Sequence, residues 1–470
     1  MSESSCPGCA QRDALIAALQ QRVTDLERQI RDLQARLGTN ASNSSLPPSA
    51  NPPSAPKPVV KKPSGRKTGG QPGHPGHQRT RLPPQRIQHV IPLVPSHCAA
   101  CHAPLPAQPS AADPEPVWHQ FAELPKVSAV VTEFQGHART CPCCGHLTRE
   151  SIPAEIRAHA FGPRLAAALS YLSGSQYVSQ RGLEDVCEVL FGVPLSLGSV
   201  TTLQEQMGQA LEPAHQEIAA EVRPAPFKNV DETGWKEAGS KRWLWAAVTA
   251  HAALFVIHLR RGVAGLKALL GAAVQGLIVS DRWSAYQAVP VERRQLCWAH
   301  LRRDFQAMVD RGGVAAGIGE DLLLDTEVLF DLWYKVRDGT RRRRWLERQI
   351  DDWLRAEVRD SLERGAACGC AKTAGVCAEI LKLEPALWTF ARHEGLEPTN
   401  NAAERALRPA VIKRKRSFGC HSEGGCRFVE RLLSVTATLR LRQRSVLDYL
   451  VEALVAHRYG LPAPGLPAAL

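Results

Sequence analysis

No run of 18 apolar residues occurs anywhere in the 470-residue chain, so no transmembrane helix and no membrane partner are expected. The opening residues, Met-Ser-Glu-Ser-Ser-Cys, lack the basic and then apolar segments of a secretory signal, and a cytoplasmic, reducing setting is expected. There the 14 cysteines read as thiols or metal ligands rather than disulfides. Acidic residues are missing altogether between Leu33 and Ala112, a stretch that carries nine Lys and Arg. Over the whole chain 58 Lys and Arg face 46 Asp and Glu, a net charge of +12 that favours polyanionic partners. With 44% apolar residues most of the length can bury a core, while 34 Pro and 35 Gly demand a local unstructured stretch.

Ile16, Leu19, Val23, Leu26, Ile30, Leu33 and Leu37 recur in steps of three and four, a heptad with aliphatic residues at every a and d position. Residues 1–38 are therefore expected to form a coiled coil that pairs the chain with itself, Arg22 facing Glu27 of the second copy. Residues 39–84 follow as a basic Pro/Gly/Ser-rich linker whose cations can track a phosphate backbone.

Two Cys-x-x-Cys pairs come next, Cys98 with Cys101 and Cys141 with Cys144, separated by 39 residues. Four thiolates satisfy one tetrahedral zinc ion, so residues 85–150 are expected to be a zinc-binding domain, with residues 127–134 as a strand bringing the pairs together. Cys143 competes with Cys144, but only Cys144 keeps the two-residue gap. Cys6 and Cys9 form a third pair without a visible partner.

Within 155–222, an amphipathic helix from Ser179 to Leu190 meets the breaker Phe-Gly-Val-Pro, and Ser196 can cap a second helix. This helix-turn-helix-like pattern would offer Ser199, Thr201, Thr202 and Gln204 to a DNA groove, and it equally describes a structural helical hairpin.

After Pro226 the pattern changes to strands at 227–231, 242–249, 254–259, 276–281 and 295–297, with a helix at 263–270 before the fourth. Two acids are expected at strand ends: Asp231 in Asn-Val-Asp-Glu-Thr-Gly-Trp and Asp281 in Ser-Asp-Arg-Trp-Ser-Ala-Tyr. Carboxylates side by side repel unless a cation lies between them. A third acid, Glu404, follows Asn400 and Asn401, either of which can cap its helix, and Arg408 lies one turn further on. Asp231, Asp281 and Glu404 can hold two magnesium or manganese ions about 4 Å apart for phosphodiester chemistry.

The strings Gly-Gly-Gln-Pro-Gly-His (69–74), Phe-Gly-Val-Pro-Leu-Ser-Leu-Gly-Ser-Val (191–200), Asp-Glu-Thr-Gly-Trp, Ser-Asp-Arg-Trp-Ser-Ala-Tyr, Cys-Trp-Ala-His-Leu-Arg-Arg (297–303) and Thr-Asn-Asn-Ala-Ala-Glu-Arg-Ala-Leu-Arg-Pro (399–409), with the Cys pairs, run in an order that resembles the DDE transposases of the insertion-sequence-66 family. The resemblance implies a multidomain α+β and α/β chain around a ribonuclease-H-like core, with Asp231, Asp281 and Glu404 as its metal-binding triad. It also implies a mobile DNA element as the source, DNA as the partner, and companion proteins encoded beside it.

The core is then expected over 223–297 and 397–420, interrupted by a helical insertion at 298–396 in which Leu346, Ile350, Leu354, Val358 and Leu362 recur every four residues. Arg302 and Arg303, Arg408, and the run Lys413, Arg414, Lys415 and Arg416 are the candidate phosphate contacts. Trp235, Cys297 and His300 are assigned to bracing or to contacting the DNA end. Residues 421–470 read as a C-terminal helical region, helical from 427 to 458, and Cys368, Cys370 and Cys377 carry no reading. The expected activity is binding of the element's ends, cleavage with metal-activated water, and joining of the 3′-hydroxyls to target DNA, with the protein nucleoid-associated while bound. Two rivals stand beside it: a zinc-containing DNA-binding regulator that has lost its chemistry, and a metal-dependent nuclease that cuts without joining.

Overall fold

The computed structural model describes residues 16, 18–26, 80–108, 110–111, 113–125 and 127–469. The basic segment at 65–77, Cys6, Cys9 and the heptad positions beyond Leu26 lie outside the described residues. Residues 18–26 are helical, and Ile16, Leu19, Val23 and Leu26 are all exposed. The chain divides into two compact units, residues 57–129 on the one hand and 1–56 with 130–470 on the other. In the smaller unit Gln120 bonds the Leu82 amide and carbonyl at 2.8 and 3.3 Å, and Arg81 lies 5.5 Å from the Trp118 ring.

The larger unit is organised by a five-stranded sheet, order β5-β4-β3-β6-β7. Its strands are β3 (Phe227–Glu237), β4 (Ser240–Val248), β5 (Ala253–His258), β6 (Leu277–Ser280) and β7 (Arg294–Leu296), while β1 (Ala138–Thr140) and β2 (Leu147–Arg149) form a separate hairpin. Strands β3, β4 and β5 are antiparallel neighbours; β6 and β7 run parallel to β3. Turn residues Ala238 and Gly239 with positive φ join β3 to β4, and helix α5 (Val263–Leu270) makes the crossover to β6. Numbering helices of seven residues or more from residue 130 on, α1 (Pro163–Ser175), α2 (Gln180–Phe191), α3 (Leu197–Ala210) and α4 (Glu212–Val222) precede the sheet. After it come α6 (Trp298–Arg311), α7 (Val314–Arg337), α8 (Arg343–Gln349), α9 (Arg355–Ala366), α10 (Ala371–Lys382), α11 (Asn401–Ser417), α12 (Glu423–Leu441) and α13 (Val446–Tyr459).

Both edges of the sheet are covered. Along β5 the amides of Ala253, Phe255 and Ile257 donate to Thr438 Oγ1, Ser434 Oγ and Glu430 Oε2 of α12 at 3.1, 2.9 and 2.8 Å. Four helical residues rise about 6 Å and two strand residues about 6.6 Å, so acceptors spaced by four on a helix match amides spaced by two on an edge strand. This removes an unpaired edge without a sixth strand. At β7, Thr389 Oγ1 donates to the Arg294 carbonyl at 2.7 Å, and the Phe390 amide donates to Gln295 Oε1 at 2.7 Å.

One hydrophobic core joins α1 to α4, β3 to β5, α5, α11, α12 and α13. A second joins β6, β7 and α6 to the helices of 298–396. In that insertion Leu346, Ile350, Leu354, Val358 and Leu362 are all buried. A strict four-residue spacing drifts off the face of a 3.6-residue helix, and the π-helical turn at Ile350–Leu354 corrects it by widening the coil between α8 and α9.

Two expectations are corrected. Residues 127–134 are not a strand, and Val130 and Val131 are exposed, for no neighbouring strand among the described residues completes a ladder with them. The C-terminal helix is two helices: Gln443, at φ 56°, breaks it after Leu441, and Ser445 caps α13.

Candidate active site

Strand β3 is longer than its hydrophobic pattern suggests. Asp231 therefore sits within the strand rather than at its end, still paired with Ala246 of β4. Pairing of β3 with β6 stops at Asn229 opposite Val279, however, and Asp281 follows β6 immediately. Two residues beyond the last pair, Asp231 and Asp281 thus leave the parallel seam side by side.

Glu404 lies in the first turn of α11. Asn400 occupies the N-cap position of that helix, yet its side chain does not cap it. Instead its Nδ2 donates to the Val230 carbonyl at 2.8 Å and its backbone N–H donates to Cys297 Sγ at 3.1 Å. The preceding residues are pinned as well: Asn229 Nδ2 donates to the Thr399 carbonyl at 3.3 Å, and the Trp298 amide to the Pro398 carbonyl at 3.0 Å. Sequence positions 170 residues apart are thereby tied, and Glu404 is carried close enough to Asp231 to raise its carboxyl.

The electrostatics register the convergence. Burial, then repulsion from Glu232, Asp281 and Glu404, pushes the Asp231 carboxyl well above the usual carboxylate range. Burial also raises Glu232 and Asp281. Asp231 Oδ1 accepts the Glu232 amide at 2.9 Å and Asp281 Oδ1 the Trp283 amide at 2.8 Å, so backbone donors orient both acids. Among the described residues no side chain donates a hydrogen bond to any of the three carboxylates, and Glu404 Oε1 is buried without a hydrogen-bond partner. Carboxylate oxygens left without side-chain donors are the kind of ligand that a divalent cation takes.

His300 Nδ1 lies 3.5 Å from Glu404 Oε1, and Arg303 4.0 Å from the same oxygen. Burial, with Arg303 and Arg282 nearby, holds His300 at about 3, so the ring is neutral. Ligand atoms of Cys297, His300 and Glu404 lie within 4.8 Å of one another. Burial pushes the Cys297 thiol up to about 11, and its sulfur already accepts the Asn400 amide, which makes it a brace for α11. Trp235 is 1% exposed and belongs to the core. A cavity of about 420 Å³ opens beside Asp281, Trp283, His300 and Arg303.

The other sequence candidates divide. Arg302 is exposed on the outer side of α6, 3.8 Å from Glu327, and Arg408 is exposed on α11. Of the basic run, Arg414 bonds Thr233 Oγ1 at 3.0 Å and the Gly234 carbonyl, and Lys413 lies 5.7 Å from the Phe428 ring. Lys415 and Arg416 are the exposed pair. In the helix-turn-helix-like pair, α2 and α3 are capped by Ser179 and Ser196. Thr201 and Thr202 are exposed, whereas Gln204 bonds Ser173 Oγ at 2.5 Å, which turns it inward, and Ser199 bonds the exposed cap Ser196 at 2.9 Å.

Each Cys pair forms a tight turn in its own unit. His102 donates to the Cys98 carbonyl at 3.0 Å with φ 59°; Gly145 donates to the Cys141 carbonyl at 2.9 Å with φ 72°. Backbone amides of Cys101 and Ala100 hold the Cys98 thiol below its ordinary value, and amides of Cys144 and Cys143 do the same for Cys141. Amides aimed at sulfur favour thiolate.

Sequence reading does not single out Glu232. It is 8% exposed and accepts from Arg261 Nε at 2.9 Å and Tyr286 OH at 2.6 Å. Its place one residue after Asp231, on the opposite face of β3, is the only signal the sequence carries.

Residues 4–80 match a family of unknown function. An uncharacterized protein of Sinorhizobium fredii, y4qI, is 25% identical over 426 residues, 82% of this chain and 75% of its own length. A second from the same organism, y4hP, is 23% identical over 386 residues, 72% of this chain and 67% of its own. Residues 158–427, more than half of the chain and the whole span from the helical hairpin through the three acids, match the profile of the IS66 transposases, and the chain belongs to that transposase family.

Proposed function

We propose that the chain binds the ends of its own mobile element, cuts them, and joins the freed 3′-hydroxyls to target DNA. The observation that supports this reading is that Asp231, Asp281 and Glu404, drawn from two strands and a helix, come close enough for Asp281 and Glu404 to raise the buried Asp231 carboxyl, with no side-chain hydrogen bond among the described residues to any of the three. Three antiparallel strands followed by two parallel ones, with helices across the sheet, support a ribonuclease-H-like core. Asp231, Asp281 and Glu404 would hold two magnesium or manganese ions, which activate a water or a 3′-hydroxyl and stabilise the leaving oxygen of the phosphodiester. Asn400 and Cys297 keep Glu404 at the aspartates, neutral His300 steadies its carboxylate, and Arg303 meets the approaching phosphate.

Lys415, Arg416, Arg408, Thr201 and Thr202 supply outward contacts for flanking DNA. Each Cys-x-x-Cys pair, Cys98 with Cys101 and Cys141 with Cys144, is a zinc-ligand knuckle, and backbone amides that lower the Cys98 and Cys141 thiols support that reading. The exposed aliphatic face of the N-terminal helix pairs two copies.

The test uses duplexes made from the inverted repeats that flank the gene in its host, with magnesium, and gels that separate cut from joined products. Asp231→Ala, Asp281→Ala and Glu404→Ala should each remove both products while the gel shift persists. Glu292→Ala, an exposed acid between the second and third segments, should change neither. Cutting without joining would support the nuclease, and binding by the unaltered protein without any cutting the inactive regulator.

A further inference from the structure

Beside the acids stands an aromatic stack that the proposed metal chemistry does not use. The Arg261 guanidinium lies 3.7 Å from the Trp283 ring centroid and 4.8 Å from that of Trp243. It is held there. Arg261 Nε donates to Glu232 Oε1 at 2.9 Å, Tyr286 OH donates to Glu232 Oε2 at 2.6 Å, and Trp283 Nε1 donates back to the Arg261 carbonyl at 3.2 Å. Glu232 and Tyr286 are buried, so the arrangement is anchored in the core of the sheet.

Trp283 itself is 36% exposed. It lines the cleft with Asp281, Arg282, His300 and Arg303, and its backbone N–H is bonded to the Asp281 carboxylate. A large apolar ring, stiffened from behind by a cation, is therefore fixed to a catalytic acid in an otherwise charged cleft. Such a surface is unsuited to a phosphate, which needs donors. The part of DNA with a matching apolar face is a nucleobase, and its face is free only when the base is unpaired and unstacked.

We propose that Trp283, backed by Arg261, is the platform on which one unpaired base next to the scissile phosphodiester stacks. This rests on the reading of the chain as a DNA-cutting transposase. Opening the terminal pair lets the backbone bend down to Asp231 and Asp281, and stacking on Trp283 offsets the cost of opening it. Glu232 and Tyr286 are positioning residues that fix Arg261, and Trp283 is a substrate contact.

The experiment compares fully paired inverted-repeat duplexes with duplexes mismatched at the pair beside the cut, in the full-length protein. Trp283→Ala should cut paired ends about tenfold to a hundredfold more slowly than the unaltered protein, the range that base stacking on an aromatic ring supports, and mismatched ends within about threefold of it. Trp283→Phe, which keeps a ring, should remain close to the unaltered protein on both. Equal activity of Trp283→Ala on paired ends, or a loss that the mismatch does not relieve, overturns the proposal. A second readout needs no cutting: with calcium in place of magnesium, 2-aminopurine at the mismatched position should be quenched on binding the unaltered protein and not on binding Trp283→Ala. If the unaltered protein cuts neither duplex, the transposase reading fails, and the 2-aminopurine comparison still decides the platform: quenching lost in Trp283→Ala supports it, and identical signals overturn it.

Discussion

The side-chain amide of Asn400 donates to the main-chain carbonyl of Val230 at 2.8 Å, across 170 positions of sequence. Val230 precedes Asp231 and Asn400 precedes the helix of Glu404, so this bond sets the spacing between the first and third acids. Asn400 is fully buried. Its replacement by Ala leaves the Val230 carbonyl unpaired and should cost about 1–3 kcal/mol of stability by denaturant titration. Cutting of end DNA should fall further than that loss of folded protein explains. Activity restored in full at a temperature where the variant is folded would show that the bond only stabilises.

Asp231 provides a test without DNA. Its carboxyl is raised in the folded chain by burial and by the neighbouring acids. An acid whose folded value lies above its unfolded one opposes folding by a penalty that grows as the pH rises past the unfolded value near 3.8, is complete above the folded value, and vanishes below 3.8. Metal-free Asp231→Asn should therefore be more stable than the unaltered protein at neutral pH, with the gain shrinking toward pH 4. Magnesium should stabilise only the unaltered protein, by about 2.7 kcal/mol at a hundred times its dissociation constant. Calorimetry over pH, with and without magnesium, checks both signs.

Zinc content tests the knuckles. Protein purified without chelator should carry one zinc per chain, and the double variant Cys98→Ser, Cys141→Ser none. Elemental analysis measures it, and thiol titration should show the four cysteines protected until zinc is withdrawn. Full zinc content in the double variant would remove these cysteines from the site.

In the insertion, Arg355 grips the buried Glu384 with two bonds of 2.7 Å, and Trp388 Nε1 donates to the same carboxylate at 2.8 Å. Burial would raise Glu384, but Arg355 and Trp388 outweigh it and hold the carboxyl below its ordinary value. The stabilisation is fully present above the unfolded value of about 4.5 and is lost as pH falls through the lower folded value. Arg355→Ala should cost roughly 3–5 kcal/mol at neutral pH by leaving a buried charge unpaired, softened by Arg359 at 3.5 Å, and much less at pH 3. Denaturant titrations at the two pH values decide it.

Period and punctuation in the sequence determined the local elements: the helix at Val263–Leu270, the hairpin strands after Pro226, and the serine caps at 179 and 196 all follow from contacts within a few residues. Asp231, Asp281 and Glu404 were equally legible as candidate acids from their segments. Tertiary structure alone decided how they meet, because the bonds from Asn400 to Val230 and Cys297 join segments that no periodicity relates. It also decided which charges matter. Lys413 and Arg414 stand beside Lys415 and Arg416 in sequence, yet helical rotation turns the first pair onto Phe428 and β3 and leaves the second in solvent. Beyond its place after Asp231, Glu232 carried no sequence sign of its burial, since a carboxylate looks the same whether solvated or buried against an arginine and a tyrosine. Its function is a property of what three-dimensional packing places around it, and only the fold supplies that.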